Sequence, residues 1–314
     1  MSKRKYIFGP VPSRRLGISL GVDLVPFKTC SMDCVYCECG RTTNLTEERK
    51  EYVPTDEVIR ELDELLSTSP KLDYITFSGA GEPTLHSGIG AIVKFIKGKY
   101  PQYRICLLTN AGLMGNEKLS GEIAGVDLVV PSLDAATEAE FEKINRPVPS
   151  LTVQSLIDGL VKFRARSKAA IWLEIFIVPG INDSKESIAA FAEAIRRIAP
   201  DKVQLNGLDR PGTEVWVKVP DAETASRFTE AFSGLGIPVE VIGKFHHNGA
   251  QRSPGEEALG KILELVSRRP CTLDDIAAII PLGRGVLRQH LHSLEKNGKI
   301  RPEEGPRGIF YRLC

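Results

Sequence analysis

Three cysteines, Cys30, Cys34 and Cys37, stand in a C-x3-C-x2-C spacing within Cys30-Ser31-Met32-Asp33-Cys34-Val35-Tyr36-Cys37, directly after an apolar run at residues 21–25. Thiolates this close together can hold three irons of a 4Fe-4S cube, because cysteine sulfur is the ligand such clusters use. The fourth iron is then open to a small molecule. A closed zinc site uses the same residue type but wants four ligands in paired spacings, such as two C-x2-C units. Cys39 is near enough in sequence to serve as a fourth ligand and close the site, and thiols without any metal are the third reading. Cys106, Cys271 and Cys314 stand alone and read as packing or surface residues.

Positioning such a loop needs a rigid frame, and the sequence alternates in the way that builds one. Short apolar runs at 74–77, 104–108, 127–133, 171–178 and 203–205 each precede a segment of helical character. Those segments lie at 89–96, 116–124, 153–163, 184–198 and 222–232, with apolar stripes such as Ile188, Phe191, Ala192 and Ile195. Asp183 and Glu186 occupy capping-box positions for the fourth of them. Another helix follows the cysteine loop, opened by Pro54-Thr55-Asp56-Glu57 with a hydroxyl cap and early acids, and striped by Val58, Ile59, Leu62, Leu65 and Leu66. Counting the strand before the cysteines gives six strand–helix units, which demand a parallel sheet with right-handed crossovers. A doubly wound sheet is one solution, but no G-x-G-x-x-G follows a first strand. The opening, residues 8–21, is rich in Pro and Gly and is expected as an extended lead-in, with Arg14 and Arg15 facing an anion or, more simply, solvent.

The second strand ends in Ser78-Gly79-Ala80-Gly81-Glu82-Pro83. With the C-x3-C-x2-C loop and its aromatic before the last cysteine, this segment resembles the GGE region of the radical S-adenosylmethionine (SAM) superfamily. The resemblance covers residues 6–243 and implies a partial (βα)6 TIM-like barrel of α/β class. It implies a 4Fe-4S cluster on Cys30, Cys34 and Cys37, with the amino and carboxylate groups of SAM on the free iron. One electron then breaks a sulfur–carbon bond, leaving methionine and a 5'-deoxyadenosyl radical that takes a hydrogen from the substrate. A low-potential donor such as ferredoxin or flavodoxin is implied as partner. Carried onto this chain, the family's binding residues fall at Gly79, Ala80, Gly81, Glu82 and Pro83 for the SAM ammonium, and at Thr109 and Asn110 of Thr109-Asn110-Ala111-Gly112 for the methionine part. Ser132 and Asp134 fall near the ribose, Arg146 near the SAM carboxylate and Tyr36 on the adenine side. Read as residues alone, the same positions are turns, a helix cap and a surface arginine. Within the superfamily, Phe8-Gly9-Pro10-Val11-Pro12-Ser13-Arg14-Arg15 and Gly21-Val22-Asp23-Leu24-Val25-Pro26 look like a subgroup grouped with the wyosine synthetases that modify tRNA, although a second cysteine set is absent.

Residues 244–253, with His246 and His247, read as a linker. Beyond it, residues 254–314 carry three helical stripes and a hairpin around Glu304-Gly305-Pro306-Arg307-Gly308, similar to a winged helix-turn-helix. Its third helix would turn Arg284, Arg288, Gln289 and His292 outward, as a groove-reading helix does. Nucleic acid, a peptide or protein, and packing against the rest of the chain are all open as its partner. An iron-sulfur redox-sensing regulator is the rival to an enzyme, and Cys39 as a fourth ligand would favour it.

Composition sets bounds. The 314 residues carry 41 Lys and Arg against 40 Asp and Glu, a net charge of +1 that makes no case for a nucleic-acid or membrane protein overall. No apolar run approaches 18 residues, and the basic start lacks the apolar core of a secretion signal, so a cytoplasmic protein is expected. Seven cysteines, an odd number, suit metal or catalytic roles better than a disulfide framework.

Overall fold

The computed structural model describes residues 4–13, 15–242, 255–280 and 282–314. The chain opens with β1 (Ile7–Ser13) and β2 (Gly17–Val22), an antiparallel hairpin. Two short strands, β3 (Thr29–Cys30) and β4 (Asn44–Leu45), pair beside the cysteine loop. Helices and strands then alternate: α1 (Thr55–Leu66), β5 (Tyr74–Phe77), α2 (Ile89–Lys99), β6 (Ile105–Thr109), α3 (Glu117–Glu122), β7 (Leu128–Pro131), α4 (Glu138–Ile144), α5 (Val153–Arg166), β8 (Ala170–Phe176), α6 (Lys185–Ile198), β9 (Lys202–Asn206), α7 (Ala222–Ser233) and β10 (Val239–Val241). One sheet runs β1-β2-β5-β6-β7-β8-β9-β10, and from β2 onward every neighbouring pair is parallel. A doubly wound sheet reverses its strand order at a switch point. This order does not reverse, and β1 and β10 remain as outer strands of an open barrel.

Several expectations change in detail. The lead-in is extended as expected and is further paired as a strand, and its edge position is why Pro10 and Pro12 are tolerated there. Among the described residues the parallel strands number seven instead of six, because β10 is three residues long with two of them exposed, too short to show a period. Helix α6 is capped by Ser184, which accepts from the Ser187 N–H at 3.0 Å, leaving Asp183 to accept from Gly180 N–H at 2.8 Å. Pro54 precedes α1 without a side-chain cap, and Glu51 accepts from the Thr55 N–H at 2.9 Å instead.

Alternate strand residues serve two faces. Ile105 and Leu107 of β6 and Ile171, Leu173 and Ile175 of β8 join the main core beneath the helices, with Ile92, Ile96, Leu160 and Phe191. Their neighbours Cys106, Leu108, Ala170 and Trp172 pack the other way with Leu16, Tyr74, Leu128 and Val130, filling the base of the barrel. Above that plug Arg15 pairs with Glu174 of β8, so it is neither solvated nor free for an anion. Arg14 lies outside the described residues.

The C-terminal unit has a core of its own, including Ala258, Ile262, Val266, Ile276, Leu287, Leu291 and Ile300. It comprises α8 (Gly255–Arg268), β11 (Cys271–Thr272), α9 (Leu273–Ala277), α10 (Arg284–Lys296), β12 (Ile300–Gly305) and β13 (Gly308–Leu313), its strands antiparallel in the order β11-β13-β12. Thr272 and Asp275 cap α9 reciprocally. Among the described residues the unit meets the barrel at two main points. Arg268 pairs with Asp23, just past β2, at 3.1 Å, and its guanidinium lies 4.6 Å over the Phe8 ring. Near the other edge, in the loop after β9, Arg210 is 3% exposed and pairs with Glu38 at 3.1 Å and Asp275 at 3.6 Å. Arg307 joins Asp209 at 2.8 Å to Asp275 at 2.9 Å. The expected linker at 244–253, with His246 and His247, lies outside the described residues.

Candidate functional site

The loop bearing Cys30, Cys34 and Cys37 leaves the C-terminal end of β2 and is held against the segment after α4. Asp33 N–H donates to the Asn145 carbonyl at 2.9 Å, Val35 N–H to Ile144 at 2.9 Å, and Val148 N–H to Ser31 at 3.0 Å. The three sulfurs lie within electrostatic reach of one another. Each receives one side-chain N–H: Asn110 Nδ2 reaches Cys30 at 3.4 Å, Asn145 Nδ2 reaches Cys34 at 3.4 Å, and Lys28 Nζ reaches Cys37 at 3.0 Å. Cys39 sits beside Cys37, and its sulfur lies 3.8 Å from the Gly79 carbonyl oxygen and 3.6 Å from that of Arg268.

Burial, reinforced by the Glu82 carboxylate, pushes the Cys30 thiol up to about 12, and burial followed by Asp134 pushes Cys34 up as well. Cys37 is lowered, first by the hydrogen bond from Cys39 and then by the Lys28 charge, against its burial. The thiolate is the nucleophile. Iodoacetamide at pH 7 is therefore expected to label Cys37 of the metal-free protein ahead of Cys30 and Cys34, as peptide mass mapping measures; preferential labelling of Cys30 would contradict these electrostatics.

Among the described residues no three His, Cys, Asp or Glu side chains are close enough to share a single metal ion. A four-iron cube asks for a wider set, since each cysteine holds a different iron. Donors aimed at every ligand sulfur are what such a group needs around it. The residues present fit it.

The turn after β5 presses against this loop. A Cβ on Gly81 would stand 2.0 Å from the Thr29 carbonyl oxygen, and one on Gly79, whose φ is +148°, would stand 2.3 Å from the Asp23 carboxylate. Only glycine allows that approach. The Ala80 carbonyl accepts from Lys28 N–H at 3.0 Å, and Pro83 starts a short helical turn over Pro83–Leu85.

Several residues expected at a ligand are committed elsewhere. Glu82, 2% exposed, accepts from Thr84 N–H at 3.0 Å, Thr84 Oγ1 at 2.6 Å, Thr109 Oγ1 at 2.8 Å and Asn110 N–H at 2.7 Å, so its carboxylate ties the ends of β5 and β6 together. Its burial raises its pKa, with those four donors opposing. Asn110 turns its amide to Ser31 at 2.9 Å as well as to Cys30. Asp134 accepts from Tyr36 Oη, from Asn145 Nδ2 at 2.8 Å and from Phe176 N–H at 3.0 Å. It locks the cysteine loop to β7 and β8, and the buried carboxylate is filled by protein donors. The Tyr36 ring stacks on Phe176 with centroids 3.9 Å apart. Arg146 pairs with Glu214 at 2.7 Å, a partner it shares with Arg41. Ser132 stays half-buried at the end of β7, opposite Glu174. Lys28 and Asn145 are the site residues that spacing did not single out. A lysine two positions before the first cysteine, in an apolar run, was the available signal.

A family model described as the radical SAM superfamily matches residues 24–192. A UPF0026 protein of Methanocaldococcus jannaschii is 35% identical over 97% of this chain and 94% of its own length. A Brachyspira hyodysenteriae protein named GTPase Obg is 34% identical over 96% of this chain, which spans only 44% of that protein. Among solved structures, a radical SAM methyltransferase from Sphaerobacter thermophilus shares the fold at a TM-score of 0.54 and 20% identity, covering 71% of this chain and 65% of that one.

Proposed function

The chain belongs to the radical SAM superfamily, and on that premise we propose that it is an enzyme holding one 4Fe-4S cluster on Cys30, Cys34 and Cys37 for reductive SAM cleavage and hydrogen abstraction from a substrate. Members of the superfamily use this cluster and SAM. When bound, the cluster supplies the electron that splits SAM into methionine and a 5'-deoxyadenosyl radical. The observation that carries the reading is the loop itself: three converging thiols, each met by one N–H donor, with a glycine turn pressed against them. Around it the chain's residues do the positioning. Asp134 and the Tyr36–Phe176 stack hold the loop, Glu82 holds the glycine turn against β6, and the apolar plug at Cys106, Leu128, Val130 and Trp172 keeps water from the base of the barrel.

The substrate is a nucleic acid, a peptide or a small metabolite. The C-terminal unit reads as a winged helix, supported by three helices followed by a hairpin and by the exposed Arg284, Arg288, Gln289 and His292 on α10. The turn between β12 and β13 is already engaged, through Arg307 and Asp209, so α10 is the face left to meet a macromolecule. Placement beside the wyosine synthetases rests on the residues at 8–15 and 21–26. A ferredoxin- or flavodoxin-like carrier supplies electrons. Among the described residues no helix is long and apolar enough to cross a membrane, and the free cysteines suit the cytoplasm.

Anaerobic incubation with SAM and dithionite is expected to release 5'-deoxyadenosine. SAM left intact, with DNA affinity that follows the oxidation state, would establish the redox-sensing regulator instead.

A further inference from the structure

Building on the assignment of the cysteine loop to a cluster, we propose that Lys28, aided by Asn110 and Asn145, is a positioning residue that raises the reduction potential of that cluster. Lys28 is 2% exposed. Its backbone is held at φ +57° by its own N–H on the Ala80 carbonyl at 3.0 Å and by its carbonyl accepting from Thr43 N–H and Asn44 N–H, both at 3.1 Å. The side chain is thereby aimed inward, and its ammonium stands 3.0 Å from Cys37 Sγ.

Among the described residues Lys28 has no carboxylate partner. A buried ammonium is strongly disfavoured unless an anion faces it. The groups that face Lys28 are the sulfurs of Cys37, Cys30 and Cys39. With iron bound, Cys30 and Cys37 carry the negative charge that this cation needs, and the two become mutually stabilising. Reduction adds one more negative charge to the cluster. A fixed cation beside a ligand sulfur favours the reduced form, and N–H donors to the sulfurs act in the same direction. Asn110 and Asn145 do this as neutral dipoles, one on each of the other two sulfurs. Lys28 does it with a full charge, so it carries the largest share.

The test is the midpoint potential of the cluster, followed by electron paramagnetic resonance during a redox titration, in wild type, Lys28→Met and Lys28→Arg, with iron and sulfide counted per chain. Lys28→Met is expected to keep its fold and to show a more negative midpoint, and Lys28→Arg to restore the wild-type value. A Lys28→Met protein that loses its cluster while Lys28→Arg retains it also supports charge compensation. Three outcomes overturn the proposal. One is an intact cluster with unchanged potential in Lys28→Met. Another is that same unchanged potential with weakened SAM binding, which would make Lys28 a ligand of the SAM carboxylate. The third is cluster loss from both variants with the circular dichroism of wild type, which would leave the position a matter of loop shape. A wild-type protein that binds no four-iron cluster would defeat the assignment of the loop itself, a separate failure.

Discussion

Alanine at any one of Cys30, Cys34 or Cys37 is expected to abolish cluster retention and to bring SAM cleavage below detection, whereas Cys39→Ala keeps both. In the proposed ligation each of the three sulfurs would hold a different iron, so no neighbour could replace a missing one without moving a loop that is hydrogen-bonded to residues 144–148 along its length. Cys39 differs from the three in its contacts. Its sulfur lies against the Gly79 and Arg268 carbonyls, and it meets the other three only through Cys37. Iron and sulfide counts after anaerobic reconstitution, with 5'-deoxyadenosine quantified alongside, separate the cases. Loss of the cluster from Cys39→Ala would mean four protein ligands and no open iron, and the regulator would become the better account.

The second large effect is at Glu82. Replacing it with alanine strands two backbone N–H groups and two hydroxyls in a site where Glu82 itself is almost fully buried. Each buried unsatisfied donor costs about 1–3 kcal/mol, so stranding four of them costs at least about 4 kcal/mol in all. For a domain of this size that corresponds to a fall in Tm on the order of 10 °C. Glu82→Gln keeps the shape but turns an amide N–H toward the donors, and is expected to lose part of that amount. Thermal denaturation of the metal-free proteins measures the effect apart from any SAM contact. Unchanged Tm in Glu82→Ala, with SAM binding lost, would return the carboxylate to the ligand.

The contrast between these two sites shows what the sequence could and could not say. The alternating apolar runs are local signals and emerged as strands and helices where they were expected, and the glycines at 79 and 81 stand where a Cβ would clash, because short-range geometry decides both. The partners of buried polar groups are decided by tertiary packing. Glu82, Asp134 and Arg146 have the residue types for holding a ligand, yet Thr109 and Asn110, Tyr36 and Asn145, and Glu214 reach them first. Lys28 shows the reverse case: its place two positions before the first cysteine is a faint signal, and a left-handed backbone turn aims it at a sulfur nine residues further on. Strand β10 escaped because three residues carry no period, and the α6 cap moved by one because Asp183 was drawn to the Gly180 turn. The contacts between the C-terminal unit and the barrel rest on Asp23, Glu38, Asp209 and Asp275 meeting three arginines, a pairing that charge counts along the chain cannot reveal.

The most direct test of the open iron is a Mössbauer spectrum of protein reconstituted with iron-57, recorded with and without SAM. One iron in four is expected to change its parameters when SAM is added, while the three held by Cys30, Cys34 and Cys37 keep theirs. Four equivalent irons indifferent to SAM, or a single zinc in place of the cube, would contradict the account.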